Sequence, residues 1–393
     1  MVSLLLVIIY VAFISLGLPD AVLGSAWPTI YLEMDVPVSW MGIVSMIISG
    51  GTIISSLFGN KLIHRFSTGA IAAVSTALTA LAMFGFSFSH SFWMLCLFAV
   101  PYGLGAGSID VALNNYVSLH YKSRHMSWLH SFWGVGVTIG PYVMGYCLTH
   151  SLAWNRGYLI LGIIQTGLMA CLFISIPFWK DNKSIAAANS NDTRKNVRII
   201  DAVQIPGVKT TLISFFFYCT IEATAGMWAS SYMVLHKGIA SETAAKWASL
   251  FYLGITAGRF LSGFISDKLG DKAMIRIGQI VAILGVIVFM LPFDNKGALI
   301  GLIAIGFGCA PVFPCLIHYT PAKFGAVNSQ ALIGIQMSFA YIGSTFMPLL
   351  FGFISDYTGI GLLPIYLLVF ALGLLLVSEA TNKLVRSKIG SAA

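Results

Sequence analysis

The chain has 393 residues, of which 58% are hydrophobic and only 9% are charged, and its formal net charge is +8. A soluble domain of this size could not cover its surface with so few polar groups, so the composition predicts a membrane protein. Most of the 22 Lys and Arg residues flank apolar runs, and we therefore expect no nucleic-acid partner.

Twelve apolar runs are long enough to cross a bilayer, which takes about 20 residues. They cover residues 4–31, 39–59, 67–88, 92–118, 126–149, 157–178, 210–235, 244–266, 273–292, 297–319, 327–353 and 361–380. Lys and Arg gather in alternate connecting segments, which predicts that both termini are cytoplasmic. The first run lacks a basic stretch and a small-residue cleavage site, so we expect a retained helix. The predicted fold class is an all-α membrane protein with twelve transmembrane helices.

The first apolar run contains a carboxylate, Asp20. A charged side chain at mid-bilayer costs roughly 3 kcal/mol on insertion scales, so it is rarely kept there without a function or a partner. A carboxyl group removed from water is also more easily protonated near neutral pH, as a proton carrier requires. Trp27 and Tyr31 in the same run can stack on a ligand or pack in an interfacial belt.

The fourth run has a second carboxylate, Asp110, with Asn114 four residues later. It is the second candidate for a titrating group inside the membrane. Polar groups and aromatic rings inside other runs are candidates for binding a small polar molecule, with helix packing as the alternative for each. These candidates are Asn115, His130, Trp133, Gln165, Trp228, Tyr252, Gln336 and Tyr341.

The longest polar stretch, residues 180–209, predicts a cytoplasmic linker between two six-helix bundles at 1–179 and 210–393. The two bundles repeat one another at an offset of 207 residues. The matching pairs in runs five and eleven are Ser131/Ser338, Phe132/Phe339, Gly136/Gly343, Pro141/Pro348 and Gly145/Gly352. Small residues four apart predict close helix packing within each bundle. The pairs are Gly103/Gly107, Gly136/Gly140 and Gly254/Gly258.

A third acid, Glu222, lies 202 residues after Asp20, and a glycine follows each acid four residues later. We expect Glu222 to correspond to Asp20 by this internal symmetry. Two roles stay open for it: hydrogen bonding to substrate hydroxyls, or a position in the outer vestibule.

The segment from Gly258 to Lys272 resembles the loop signature of the major facilitator superfamily, Gly-x-x-x-Asp-Arg/Lys-x-Gly. The resemblance implies two parallel six-helix halves that rock about a central cavity, and a gate held by this segment. Its residues here are Gly258, Arg259, Gly263, Asp267, Lys268 and Gly270. An ordinary charged loop is the alternative. The first-half equivalent, residues 59–66, lacks the Asp.

Within that superfamily, three segments are similar to the fucose permease-like group of sugar–proton symporters. They are residues 17–23 with Asp20, residues 103–114 with a Gly-x-Gly, an acid and an Asn, and residues 130–133. In the last segment His130 and Trp133 stand where the fucose carrier has Gln and Asn.

This resemblance implies proton-coupled symport of a neutral, hexose-like sugar in a bacterial inner membrane. It implies that Asp110 carries the proton and that Asp20 is a second titrating or substrate-bonding acid. Asn114 and His130 would then bind the sugar. Static hydrogen bonds between helices are the alternative for these residues.

Two other functions stay open: a proton-coupled exporter of drugs or lipid-linked sugars, and a sugar sensor that moves nothing. The sequence has no His-Glu-x-x-His and no Gly-x-Ser-x-Gly, so we do not expect an enzyme. We expect a monomer without cofactor or metal, and free, buried thiols at all six cysteines. The sugar, the transport direction, and sodium in place of the proton are not decided by sequence.

Overall fold

A computed structural model describes residues 4–37, 40–150, 152–179, 199–239, 241–291 and 295–390. Over these residues the chain is helical between short connections and contains no β-strand. It divides into two compact units. Unit 1 comprises Met1–Tyr116 and Leu129–Val197, and unit 2 comprises Val117–Trp128 and Arg198–Ala393. Residues 180–198 of the predicted linker lie outside the described residues.

Unit 1 is built from helices α1 to α7, although the end of α5 and the start of α6 belong to unit 2. The helices are α1 Leu4–Gly17, α2 Val22–Glu33, α3 Met41–Arg65, α4 Thr68–Ser87, α5 Phe92–His120, α6 Ser123–Thr149 and α7 Trp154–Ser175. Helices that are apolar on all sides can face both a core and lipid. Accordingly Ile9 and Phe13 are buried, whereas Trp93 and Leu97 are exposed.

Unit 2 contains the remaining helices. They are α8 Ile199–Gln204, α9 Val208–Leu235, α10 Ser241–Leu269, α11 Asp271–Met290, α12 Asn295–Cys309, α13 Val312–His318, α14 Thr320–Phe324, α15 Ala326–Thr358 and α16 Leu363–Gly390. The predicted run 297–319 is divided between α12 and α13 because Pro311 interrupts the helix.

Eleven helices among the described residues are long and apolar enough to cross a membrane. The prediction of an all-α membrane fold is therefore confirmed. The predicted fifth span corresponds to α6, which has 27 residues but is not among the eleven. Its first two turns carry the polar residues Arg124, His125, Ser127 and His130, which lower its hydropathy.

The first predicted helix, residues 4–31, is broken between Gly17 and Val22. Pro19 has no backbone N–H to donate, which removes one helical hydrogen bond at the break. Short three-residue bonds close the break: Asp20 N–H donates to Gly17 O at 3.2 Å and Val22 N–H donates to Pro19 O at 3.3 Å. Asp20 therefore lies at a helix interruption within a membrane-spanning segment.

Glycines bring α1 and α6 into backbone contact beside this break. A Cβ on Gly136 would lie 2.2 Å from Ile14 O, and one on Gly140 would lie 1.9 Å from Leu18 O. On the other helix, a Cβ on Gly17 would lie 2.3 Å from Trp133 O. The predicted close packing at Gly136 and Gly140 is confirmed, and it carries α6 side chains to the α1–α2 break.

The six cysteines are all free thiols, as the sequence predicts. Four are buried, but Cys171 is exposed and Cys219 is half-buried. The expectation of complete burial is wrong for these two, because their helix faces turn away from the interior of their units.

Candidate functional site

Asp20 is held by two neutral hydrogen-bond donors. The Tyr102 hydroxyl donates to Oδ1 at 2.7 Å, and Trp133 Nε1–H donates to Oδ2 at 2.8 Å. Tyr102 is buried, whereas the Asp20 side chain itself is exposed. Among the described residues no cation forms an ion pair with Asp20. The carboxylate is thus oriented by dipoles alone and remains open to a further ligand.

Asp110 belongs to a second, deeper cluster with Asn114 and His130. Asn114 Nδ2–H donates to Asp110 Oδ1 at 2.7 Å and to the Asp110 carbonyl at 3.0 Å. His130 Nε2 lies 3.1 Å from Asn114 Oδ1. That oxygen can only accept, so Nε2 carries the hydrogen. All three residues are at most 7% exposed, which makes this cluster a buried polar site in the membrane.

Helices α5 and α6 both contribute side chains to each acid cluster. Asp110 and Asn114 are four residues apart and share one face of α5, whereas Tyr102 is rotated from Asp110 by about 80° around the helix. His130 and Trp133 are three residues apart and share one face of α6. Tyr102 and Asp110 are eight residues apart, which corresponds to about 12 Å along the helix. The two helices therefore carry two acid clusters at different depths along their length.

The other candidates of unit 1 have mainly packing contacts. Ser15 Oγ–H donates to Gln165 Oε1 at 2.5 Å, and Gln165 Nε2–H donates to the Ser15 carbonyl at 2.8 Å. Gln165 therefore joins α1 to α7 from a fully buried position. Trp27 is 3% exposed and packs edge-to-face on Phe92. Asn115 is buried and Tyr31 is half-buried.

Glu222 in unit 2 differs from Asp20 because it has a cationic partner. Arg259 Nη2–H donates to Glu222 Oε1 at 3.2 Å and to Oε2 at 3.4 Å. The same Nη2 also lies 3.2 Å from the hydroxyl of Tyr218. The side chain of Arg259 is 4% exposed and that of Glu222 is 20% exposed. An acid and a base thus form a mostly buried ion pair between α9 and α10.

The remaining candidates in unit 2 are spread over several helices. Trp228 Nε1–H donates to the Pro348 carbonyl at 2.9 Å. Gln336 exchanges hydrogen bonds with Thr320 and is 1% exposed. Tyr252 is 50% exposed, and Tyr341 is half-buried. The structure does not gather these four side chains around Glu222 as one cluster.

The loop signature is divided between a buried part and an exposed part. Gly258, Arg259 and Gly263 lie within α10 and are buried, and Arg259 binds Glu222. Asp267 and Lys268 are exposed near the end of α10, and Gly270 follows with a positive φ of 77°. Asp267 forms an ion pair with Arg124 within unit 2, and Arg124 Nε lies 3.1 Å from Asp267 Oδ2.

Sequence reasoning missed Tyr102, Tyr218 and a polar cluster around Asp271. His318 Nδ1 lies 2.7 Å from Asp271 Oδ2, and Ser123 also donates to Asp271. Tyr218 could have been found by its spacing, because it lies four residues before Glu222 on the same helix. Nothing local marks Tyr102 or the contacts of Asp271, because their partners are distant in the chain.

The Major Facilitator Superfamily model matches residues 9–292 and 210–390. Bypass of stop codon protein 6 of Saccharomyces cerevisiae is 22% identical over 93% of this chain and 80% of that protein. The cis,cis-muconate transport protein of Acinetobacter baylyi is 23% identical over 85% of this chain and 83% of that protein.

The crystal structure of FucP in the outward conformation superposes with a TM-score of 0.78 at 14% identity, over 96% of this chain and 98% of that chain. FucP is described as the fucose:proton symporter of E. coli. At this identity the likeness establishes the fold. The family match covers more than half of the sequence, and the chain therefore belongs to the major facilitator superfamily.

Proposed function

We propose that this transporter carries a hexose-like sugar together with a proton by alternating access. The proposal is supported by one observation: two carboxyl groups of unit 1 are held by neutral donors from α5 and α6. Asp20 accepts from Tyr102 and Trp133, and Asp110 accepts from Asn114. The fucose:proton symporter with the similar fold also supports it.

Asp110 is the proposed proton carrier. It is buried, so its charged form lacks the stabilisation that water supplies, and gaining a proton removes that cost. Oδ1 accepts the Asn114 amide hydrogen, which holds the carboxyl group in place. His130 holds the far side of Asn114 and fixes the orientation of the amide.

Asp20 is the proposed contact for sugar hydroxyls. Its side chain is exposed and already oriented by two donors, so a hydroxyl can join without rebuilding the site. The half-buried Trp133 ring beside it offers an apolar face for the carbon–hydrogen surface of a sugar. Sugar sites combine such polar and aromatic contacts.

We further propose a bacterial inner-membrane location, cytoplasmic termini and a monomeric state. The Lys and Arg bias of the connecting segments supports the orientation. Asp267, Lys268 and Gly270 are proposed to hold one transport state, with Arg124 as the partner of Asp267.

The test is uptake of labelled L-fucose, D-glucose, D-galactose, D-mannose and D-glucuronate by proteoliposomes with an imposed pH gradient. The proposal expects accumulation of at least one sugar when the lumen is more alkaline than the medium, with none when the gradient is collapsed. Sugar expelled against the gradient would favour the exporter. Binding in detergent without flux would favour the sensor. A sodium gradient at equal pH on both sides tests the other coupling ion.

A further inference from the structure

Arg259 is a buried cation in the middle of a membrane-spanning helix. Its side chain is 4% exposed and lies ten residues before the end of α10. Placing such a charge away from water is costly even when it is paired. A gate held by the loop signature does not require Arg259 to be buried, because the exposed part of that signature forms its ion pair with Arg124 through Asp267.

The Glu222–Arg259 pair is looser than an optimal charge-assisted bond. Its N···O distances are 3.2 and 3.4 Å, and one nitrogen serves both carboxylate oxygens. Charge-assisted bonds are normally about 2.7–2.9 Å and are often bidentate. The surface pair of Arg276 and Glu379 in the same unit has that form, with two nitrogens at 2.9 and 2.6 Å. The Glu222–Arg259 contacts are therefore longer than those of the surface pair.

The accessible side of the pair is its carboxylate side. Glu222 is 20% exposed against 4% for Arg259, so a ligand approaching the pair meets the acid first. One turn beyond Glu222, the Tyr252 hydroxyl lies against Gly226, where a Cβ would be 2.1 Å away. Tyr252 is half-exposed and lies about two helical turns before Arg259 on α10. The site thus combines a guanidinium, a displaceable carboxylate and a phenol.

We propose that Arg259 binds a carboxylate of the substrate, and that Glu222 is the internal carboxylate that occupies Arg259 when substrate is absent. Exchange of one carboxylate for another preserves the charge that the guanidinium sees. The displaced Glu222 is the more exposed partner of the pair, so Arg259, the more deeply buried charge, is never left alone. This rests on the proposed function and narrows its substrate from a neutral hexose to a sugar acid, such as a hexuronate. Unit 1 would bind the hydroxyls, and Arg259 would select the charge.

The test measures ligand-induced thermal stabilisation of the full chain in detergent at one pH. D-glucose is compared with D-glucuronate, D-galactose with D-galacturonate, and hexanamide with hexanoate. Each pair differs at a single carboxylate. We expect at least one carboxylate to bind about tenfold or more tightly than its neutral match, as a charged hydrogen bond would give. Carboxylates that bind no better than their neutral matches in all three pairs would overturn the proposal.

Three variants link that preference to the pair. Glu222→Gln removes the internal competitor and should tighten carboxylate binding about tenfold. Glu222→Gln combined with Arg259→Gln leaves no unpaired charge, so it should fold, and it should lose the preference altogether. Arg276→Gln removes the surface pair and should leave the preference unchanged. A double variant that keeps the wild-type preference would refute the assignment.

Failure of this inference is separable from failure of the proposed function. If hexoses bind as tightly as hexuronates and are accumulated with protons, sugar symport is supported and the carboxylate-binding role of Arg259 is refuted. If hexanoate binds more tightly than hexanamide and none of the sugars or sugar acids binds, the carboxylate-binding role is supported and sugar transport is refuted.

Discussion

The internal symmetry of the sequence predicts that Asp20 and Glu222 correspond to each other, yet their surroundings differ. Asp20 accepts hydrogen bonds from the neutral groups of Tyr102 and Trp133. Glu222 is paired with the buried guanidinium of Arg259. An acid held by neutral donors can lose or gain a proton without stranding a counter-charge. An acid paired with a buried cation cannot, so the duplicated position has been put to two different uses.

This contrast divides the work between the units. Removing the charge of Glu222 would leave the buried guanidinium of Arg259 without a counter-charge. Breaking a buried ion pair in this way lowers the free energy of unfolding by about 3–5 kcal/mol. Protonating Asp20 or Asp110 leaves their Tyr, Trp and Asn donors in place. We therefore propose that proton coupling belongs to unit 1 and that the charge selecting the substrate lies in unit 2.

The largest expected effect comes from breaking the pair on one side. Arg259→Gln leaves Glu222 as an uncompensated charge and should lower the free energy of unfolding by about 3–5 kcal/mol. Arg276→Gln removes an exposed pair that solvent screens, so its loss should be much smaller. Thermal unfolding in detergent measures both. Equal losses would mean that burial does not distinguish the two pairs.

Unit 1 offers the matching experiment with a neutral donor. Tyr102→Phe removes the hydroxyl that donates to Asp20 and should cost about 1.5–3 kcal/mol of stability, with weaker sugar uptake. Tyr158 is an equally buried tyrosine of unit 1, and its hydroxyl has no hydrogen-bond partner among the described residues. Tyr158→Phe should therefore be neutral or stabilising. If both variants behave alike in unfolding and uptake, the Tyr102–Asp20 bond has no role.

The position of Trp133 can be disturbed without touching either acid. Gly136→Ala would push a methyl group to 2.2 Å from Ile14 O and force α6 away from the break in α1. Overpacking of this kind costs about 1–3 kcal/mol, and sugar uptake should fall with it. Gly145→Ala lies on the same helix with open space around its Cβ and is the control. Equal uptake by the two variants would contradict the proposed role of the α1–α6 contact.

The smallest expected effect concerns a cation of unit 2 that lies outside the spans. Burial lowers the pKa of Lys323 from 10.5 to about 8, against the opposing effect of Asp271 and Glu379. The unfolded chain then binds more protons between about pH 8 and 10.5, so stability should rise with pH in that window, by at most about 1.4 kcal/mol per pH unit.

Lys323→Met should abolish this rise in stability, whereas Lys383→Met, at an exposed lysine, should keep it. The free energy of unfolding of each variant is measured at pH 8 and at pH 10, and the two differences are compared. A Lys323→Met protein with an unchanged rise would show that this lysine pays no cost of burial.

Local spacing predicted part of this site. Apolar runs gave the helices, and the spacing of Asp110 and Asn114 corresponds to a direct hydrogen bond on one helix face. The Glu222–Arg259 pair could not be predicted in the same way, because it depends on how α9 and α10 are rotated against each other. Arg259 was instead attributed to a loop by its motif. Similarly, Pro19 is visible in the sequence, but the donors that reach Asp20 at the break come from α5 and α6.

The most direct measurement of the central claim compares uphill uptake with exchange in Asp110→Asn proteoliposomes, using the labelled sugar that wild-type protein accumulates best. Asparagine keeps the shape and the hydrogen-bonding oxygen of the side chain, but its amide group cannot bind and release a proton as a carboxyl group does. The account predicts loss of accumulation driven by the pH gradient, with downhill exchange of labelled sugar retained at least in part. Accumulation equal to that of the wild type would contradict it.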